Sequence, residues 1–166
     1  RPERILDLGC GTGVLAIAAA LAAKRKTLAT DIDPEAVRVT ELNAALNGVA
    51  PLIAAATAPG LKHRKIANAA PYDLIFANIL ARPLISLAQG LASILAPGGS
   101  LILSGLTLDQ VRWVSAAYRN RGLVHAQTLR RDNWAPLTLI SKRKRPDRLR
   151  TGRLVSGAAG PGWELD

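Results

Sequence analysis

Residues 4–13 read Arg4-Ile5-Leu6-Asp7-Leu8-Gly9-Cys10-Gly11-Thr12-Gly13, a short apolar run that stops in three alternating glycines. The run Arg4–Leu8 has the pattern of a buried parallel strand. Glycines at every second position let the backbone turn sharply and approach a ligand where any Cβ would collide. The stretch that follows, Val14–Lys24, is rich in Ala and Leu without a breaker and reads as a helix closed by Lys24-Arg25-Lys26. A glycine-rich turn between a strand and a helix is the context in which such a motif binds a ligand rather than merely turning the chain.

Working outward, Thr27–Thr30 reads as a second strand running into Asp31-Ile32-Asp33, with Pro34 at the first turn of a helix and Asp33 as its cap. Gly48 stops that helix. Leu52–Ala56 is a weaker third strand, and residues 57–71 read as loop or irregular helix. Tyr72–Ala77 is a fourth strand, Pro83–Leu95 a helix, and Pro97-Gly98-Gly99 a turn into a fifth strand, Ser100–Ser104. Leu108–Arg121 is helical up to Gly122, and Leu123–Leu129 with Leu137–Ser141 form a closing hairpin. Strands alternating with helices predict a doubly wound α/β fold, a mostly parallel sheet of seven strands with helices on both faces. A terminal strand pair joined without a helix predicts one antiparallel strand.

Composition agrees with one globular domain. The chain has 166 residues, 49% of them hydrophobic and 20% charged. Its longest apolar run, Val14 to Ala23, is half of what a membrane span needs, and no signal-peptide pattern opens it, so a cytoplasmic, non-membrane protein is expected. A single cysteine and two separated histidines give no metal-ligand pattern, and no metal is expected. There is no methionine, and the chain opens on Arg1 just before a strand, which reads as an excised domain. The net charge of +10 is uneven: residues 142–153 hold seven basic residues and one acidic. Residues 1–141 are therefore read as the domain and 142–166 as a basic, unstructured tail. That tail could make a weak RNA contact, or simply be solvated.

Two cofactor classes compete for the glycine loop. A dinucleotide site wants Gly or Ala at the sixth position of G-x-G-x-x-G, where this chain has Val14. S-adenosylmethionine has no phosphate and a charged amino-acid end, and a carboxylate beside the loop suits it. Asp7 stands two residues before Gly9 and can serve there. Asp31, 22 residues after Gly9, is placed to accept hydrogen bonds from both ribose hydroxyls. Gly9, Gly11, Gly13, Asp7 and Asp31 thus form the expected S-adenosylmethionine site. Cys10 has no histidine near it in sequence and reads as loop filler.

The fourth strand points Asn78-Ile79-Leu80-Ala81 at the acceptor. Asn78 Oδ1 and the carbonyl of Ile79 could orient an amine, with proximity as the main effect on rate. Enzymes that methylate planar nitrogens carry a stacking aromatic where this chain has Ala81, so an aliphatic amine is favoured. The competing role for Asn78 is a plain turn residue.

The segments LDLGCGTGVLAIAAA, ATDIDPEAV, ELNAALNGV, DLIFANILARPLISLA and LAPGGSLILSGL together resemble the bacterial ribosomal protein L-eleven methyltransferase (PrmA) family over about residues 3–141. The glycine loop is common to many methyltransferases; ANILA-x-PL and PGG-x-L-x-LSG are far more specific. The resemblance implies a protein lysine N-methyltransferase, acting with S-adenosylmethionine on lysine side chains and the N-terminal amine of a large-subunit ribosomal protein. It implies cofactor-site positions at Gly9, Asp31 and Asn78. Trp134 resembles the family's late Trp, with packing of the last hairpin as the plainer reading. Methylation of RNA or a small molecule, and a non-catalytic cofactor-binding module, are the alternatives.

Overall fold

The structure, a computed structural model, describes residues 2–129 and 132–142. The strands are β1 (Ile5–Leu8), β2 (Thr27–Asp31), β3 (Ile53–Thr57), β4 (Tyr72–Asn78), β5 (Leu95–Ser104), β6 (Leu123–Thr128) and β7 (Leu137–Ser141). The helices between them are α1 (Val14–Ala23), α2 (Pro34–Leu46), α3 (Arg64–Ala69), α4 (Ala81–Ile94) and α5 (Gln110–Arg119). All seven strands join one sheet in the order β3-β2-β1-β4-β5-β7-β6.

The first five strands are parallel, and β7 runs antiparallel to both β5 and β6. The chain moves outward from β1 to β3 and then crosses back to place β4 on the other side of β1. Strand order therefore reverses between β1 and β4, and the carboxyl ends of these two strands flank a crevice. The glycine loop leaves β1 and Asn78 ends β4, so the topology carries both motifs to one place.

Each face of the sheet is covered by its own helices. The larger core contains Leu6, Leu8, Ile75, Leu101 and Leu103 of the sheet against Ile66 of α3, Leu84 and Leu91 of α4, and Val114 and Tyr118 of α5. On the other face, Ile17 and Ala20 of α1 meet Ala44 of α2. Two buried tyrosines satisfy their hydroxyls on backbone carbonyls: Tyr118 donates to Leu84 at 2.7 Å and Tyr72 to Ile66 at 2.9 Å. Asp33 caps α2 as expected, accepting from the amide of Glu35 at 2.9 Å, with Pro34 in the first turn.

The structure corrects the reading around β5. Pro97-Gly98-Gly99, expected as a turn before a five-residue strand, lies inside a ten-residue strand that starts at Leu95. Tyr72 pairs with Leu95 and Leu74 with Ser100, so the extra residues of β5 are accommodated as a bulge opposite Asp73. A Cβ on Gly99 would stand 2.9 Å from the carbonyl oxygens of both Ala96 and Tyr72, which is why glycine serves there. Helix α4 starts at Ala81, two residues earlier than predicted. The region 57–71 contains the short helix α3, capped by His63, whose Nδ1 accepts from the amide of Lys65. Residues 143–166, most of the expected tail, lie outside the described residues. No helix among those described is long and apolar enough to cross a membrane.

Candidate active site and family

The glycine loop is tied down from two sides, the end of β2 and helix α2. Gly9 and Cys10 donate their amides to the carbonyl of Thr30, at 2.7 and 3.0 Å, fastening the loop to the end of β2. Gly9, Gly11 and Gly13 all have positive φ (73°, 54° and 81°), the left-handed region that favours glycine. From α2, the hydroxyl of Thr40 donates to the carbonyl of Gly11 at 3.1 Å and Nδ2 of Asn43 to that of Thr12 at 2.8 Å. Thr40 also fills the space beside Gly13, where an added Cβ would meet its Cγ2 at 2.8 Å.

Asp7 works from beneath. Gly13 precedes α1 and has no side chain to cap it, and the first amides of a helix need acceptors. Asp7 Oδ2 takes that part, accepting from the amide of Ala16 at 2.9 Å. The residue is 1% exposed and its other oxygen, Oδ1, has no partner among the described residues. Burial pushes its carboxyl up to about 6, against the lowering effect of the Ala16 bond. Cys10 is held against Thr40, Sγ to Oγ1 at 3.3 Å. Burial pushes its thiol up to about 11, which disfavours the reactive thiolate.

Asp31 stands at the rim of the loop. Its Oδ2 accepts from the amide of Gly11 at 2.9 Å and its Oδ1 from that of Asp33 at 3.1 Å. Each oxygen keeps a lone pair for a further donor, because a carboxylate offers about four acceptor sites. A cleft of about 420 Å³ opens beside it, lined by Gly9, Thr30, Asp31, Asn78, Ile79 and Leu80 among others. That size is ordinary for a small-molecule site.

Four of the residues singled out from sequence, Gly9, Asp31, Asn78 and Ile79, thus border one cleft. Asp7, Gly11 and Gly13 do not line it; they shape and support the loop. Asn78 is exposed, and its side-chain amide makes no hydrogen bond among the described residues. A turn-forming Asn would spend that group on its own backbone. The carbonyl of Ile79 and Oδ1 of Asn78 both lie against Gly105, whose Cβ, if present, would be 3.4 and 3.0 Å from them.

A second cavity of about 600 Å³ adjoins the first through Leu80 and Pro83, which line both. Gly105, Thr107, Gln110, Trp113 and Trp134 make its far side. Sequence reading missed Thr40, Asn43, Gly105 and Trp113. Gly105 alone had a local signal, a glycine at the carboxyl end of a strand. Trp134 is 56% exposed and bridges to Thr107 beside the last hairpin. Another cavity, lined by Arg4, Lys26, Lys65 and Tyr72 among others, lies at the amino ends of the strands, away from the loop. Among the described residues no group of three or more His, Cys, Asp and Glu could hold a metal ion.

The profile of the family described as Ribosomal protein L11 methyltransferase (PrmA) matches residues 1–143. The chain belongs to this family. A Ribosomal protein L11 methyltransferase of Brucella suis is 53% identical over 138 residues, 83% of this chain and 48% of that protein. The chain therefore spans about half the length of such PrmA relatives. A crystal structure of the ribosomal protein L11 methylase of Lactobacillus delbrueckii subsp. bulgaricus superposes with a TM-score of 0.78 at 34% identity, covering 86% of this chain and 72% of that one. An RNA methyltransferase from Salinibacter ruber, solved in complex with S-adenosyl-L-homocysteine, shares the fold (TM-score 0.68, 20% identity, 89% of this chain and 86% of that one). The seven-stranded, Rossmann-like sheet is the PrmA fold in this chain, as its motifs implied.

Proposed function

We propose that this PrmA-family chain is the catalytic unit, residues 1–141, of an S-adenosylmethionine-dependent protein N-methyltransferase. Its substrates would be amines, lysine side chains and the N-terminal amine, of a large-subunit ribosomal protein in the cytoplasm. The observation that carries this reading is the meeting of Gly9, Asp31 and the unbonded Asn78 amide around one cleft at the reversal of strand order. The family's named substrate and the roughly half-identical relatives support the same acceptor.

The cleft fits the methyl donor. Asp31 has acceptor capacity left for a ribose diol beyond its two backbone bonds. Gly9 brings the loop backbone to the wall of the cleft, and no cationic side chain lines it to repel a sulfonium or ammonium. Asp7, when ionised, adds negative potential beneath the loop for the donor's charged end. S-adenosylmethionine, when bound, supplies a methyl on a sulfonium centre that is open to backside displacement.

The protein's own part is to orient. An aliphatic amine has an ordinary pKa of about 10.4 and must lose a proton before its lone pair can attack. Asn78 Oδ1 and the Ile79 carbonyl accept the amine's remaining N–H bonds and aim that lone pair toward the cleft. Both oxygens face Gly105, where the missing Cβ leaves room for the acceptor nitrogen to approach them. Because the carbon–nitrogen bond forms as the carbon–sulfur bond breaks, alignment is the main contribution asked of the site.

Calorimetry with S-adenosylmethionine, followed by mass spectrometry of the ribosomal protein after incubation, tests the reading. Binding together with stepwise addition of single methyl groups to amines is the expected result. Methyl transfer confined to RNA would overturn the choice of acceptor. The basic run from Lys142 to Arg153, proposed as a weak RNA contact, lies outside the described residues apart from Lys142; shortening the chain to residue 141 tests it through RNA affinity.

A further inference from the structure

The cavity behind Leu80 is bounded by two tryptophans that leave much of their surface in water. Trp113 is 45% exposed and Trp134 is 56% exposed. Exposed indoles that share one concavity are a recognised mark of a recognition site, because they lose little conformational entropy on binding and offer large apolar faces. Trp113 stands one turn beyond Gln110 on α5, so both present the same side of that helix.

The backbone around Trp134 is tied to the segment after β5. The amide of Ala135 donates to the carbonyl of Leu106 at 2.9 Å, that of Leu108 to Asn133 at 3.3 Å, and Thr107 bridges to Trp134 itself. The segment after β5 and the segment before β7 are therefore bonded to each other, with Gly105 at the root of the first, facing Asn78.

We propose that Trp113 is an acceptor-specificity residue, forming with Trp134 the aromatic walls of a slot that takes the aliphatic stem of the amine and delivers its nitrogen to Asn78. This inference rests on the amine reading above and names the residue that selects for it. The opposite wall, Leu80, Ala81 and Pro83, is aliphatic and suits methylenes. No carboxylate lines the slot, and the carboxylate of Asp109 beside it is bonded to the hydroxyl of Thr107. Arg82 is the charged residue in the lining, and like charge favours the neutral form of an entering amine, the form that attacks.

The chain has three tryptophans, so its indole N–H signals in a nitrogen–proton correlation spectrum can be assigned with Trp113→Phe and Trp134→Phe. A short lysine-containing peptide and a single-stranded oligoribonucleotide serve as probes, with cofactor present. The peptide is expected to shift the Trp113 and Trp134 signals. Trp113→Ala should raise the peptide's KM about tenfold with kcat and cofactor affinity within about twofold, and Trp113→Phe should recover most of the loss. Unmoved indoles, or an unchanged KM in a folded Trp113→Ala protein, would overturn the slot. Indoles that answer the oligoribonucleotide and not the peptide would make it a base-stacking site and overturn it equally. Peptide-shifted indoles without methyl transfer would leave the slot standing and sink only the amine-transfer reading.

Discussion

The Cγ2 methyl of Ile79 occupies the place that a side chain on Gly9 would need, 2.3 Å from the position of its Cβ. The end of β4 is thereby packed into the opened backbone of the loop after β1. The residue that presents an acceptor carbonyl also seals the cofactor loop, so the two halves of the site keep a constant spacing.

Gly9→Ala should accordingly damage the site twice. Its φ of 73° is strained for an L side chain, and the new methyl must displace Ile79. A loss of about 1–3 kcal/mol in stability is expected, with a larger fractional loss of cofactor affinity. Ile79→Ala in the same chain should recover part of the deficit. Strictly additive losses in that double-mutant cycle, by chemical denaturation, would disprove the steric coupling.

Asp31→Ala should weaken S-adenosylmethionine binding by about 1.5–3 kcal/mol, the range for hydrogen bonds to a charged group. Part of that loss comes from releasing the amide of Gly11. Asp31→Asn keeps one oxygen for that amide and should retain the loop while still losing ribose affinity. Equal affinity of Asp31→Asn and the parent, measured by calorimetry, would move the ribose contact elsewhere.

Asn78→Ala separates orientation from folding. If its Oδ1 aims the amine, single-turnover transfer at saturating cofactor should fall about 100- to 1,000-fold, as for loss of one preorganised polar contact. Cofactor affinity should fall far less than the rate, and the melting temperature should hardly change, because the Asn78 amide has no hydrogen bond among the described residues to lose. A rate within about threefold of the parent would remove it from the catalytic set.

Asp7 gives the protein a distinctive pH dependence. Its carboxyl is raised from 3.8 to about 6 in the fold, so between those values the folded chain holds a proton that the unfolded chain has released. Stability from this group is full below about pH 4, falls as pH rises toward 6 and is flat above. Asp7→Asn should abolish that fall and leave the variant relatively more stable at pH 7, by on the order of 2–3 kcal/mol. Its amide oxygen can still accept from Ala16. Parallel pH profiles of parent and variant in urea melts would show that Asp7 ionises as freely in the fold as in the open chain.

Much of this was legible because it is local. The glycine loop, the Asp33 cap and the apolar runs of β1, β2 and β4 depend on backbone permissiveness and on the burial preference of neighbours in sequence. The same local logic failed at Pro97-Gly98-Gly99. Those residues have the chemistry of a turn, yet pairing with β4 draws them into a strand, and a contact with Tyr72 sets the need for Gly99.

The sequence by itself determined the class of fold, the loop and the acid that follows it, and the Asn at the end of the fourth strand. Backbone conformation and short-range capping specify these within a few residues. Tertiary structure alone decided that Asp7 would be a buried support, that Thr40 and Asn43 would brace the loop from α2, and that β7 would insert between β5 and β6. It also decided that Trp113 and Trp134, 21 positions apart in the chain, would line one cavity. These depend on which elements become neighbours when the sheet closes around its core, and that is set by the whole hydrophobic pattern at once rather than by any one segment.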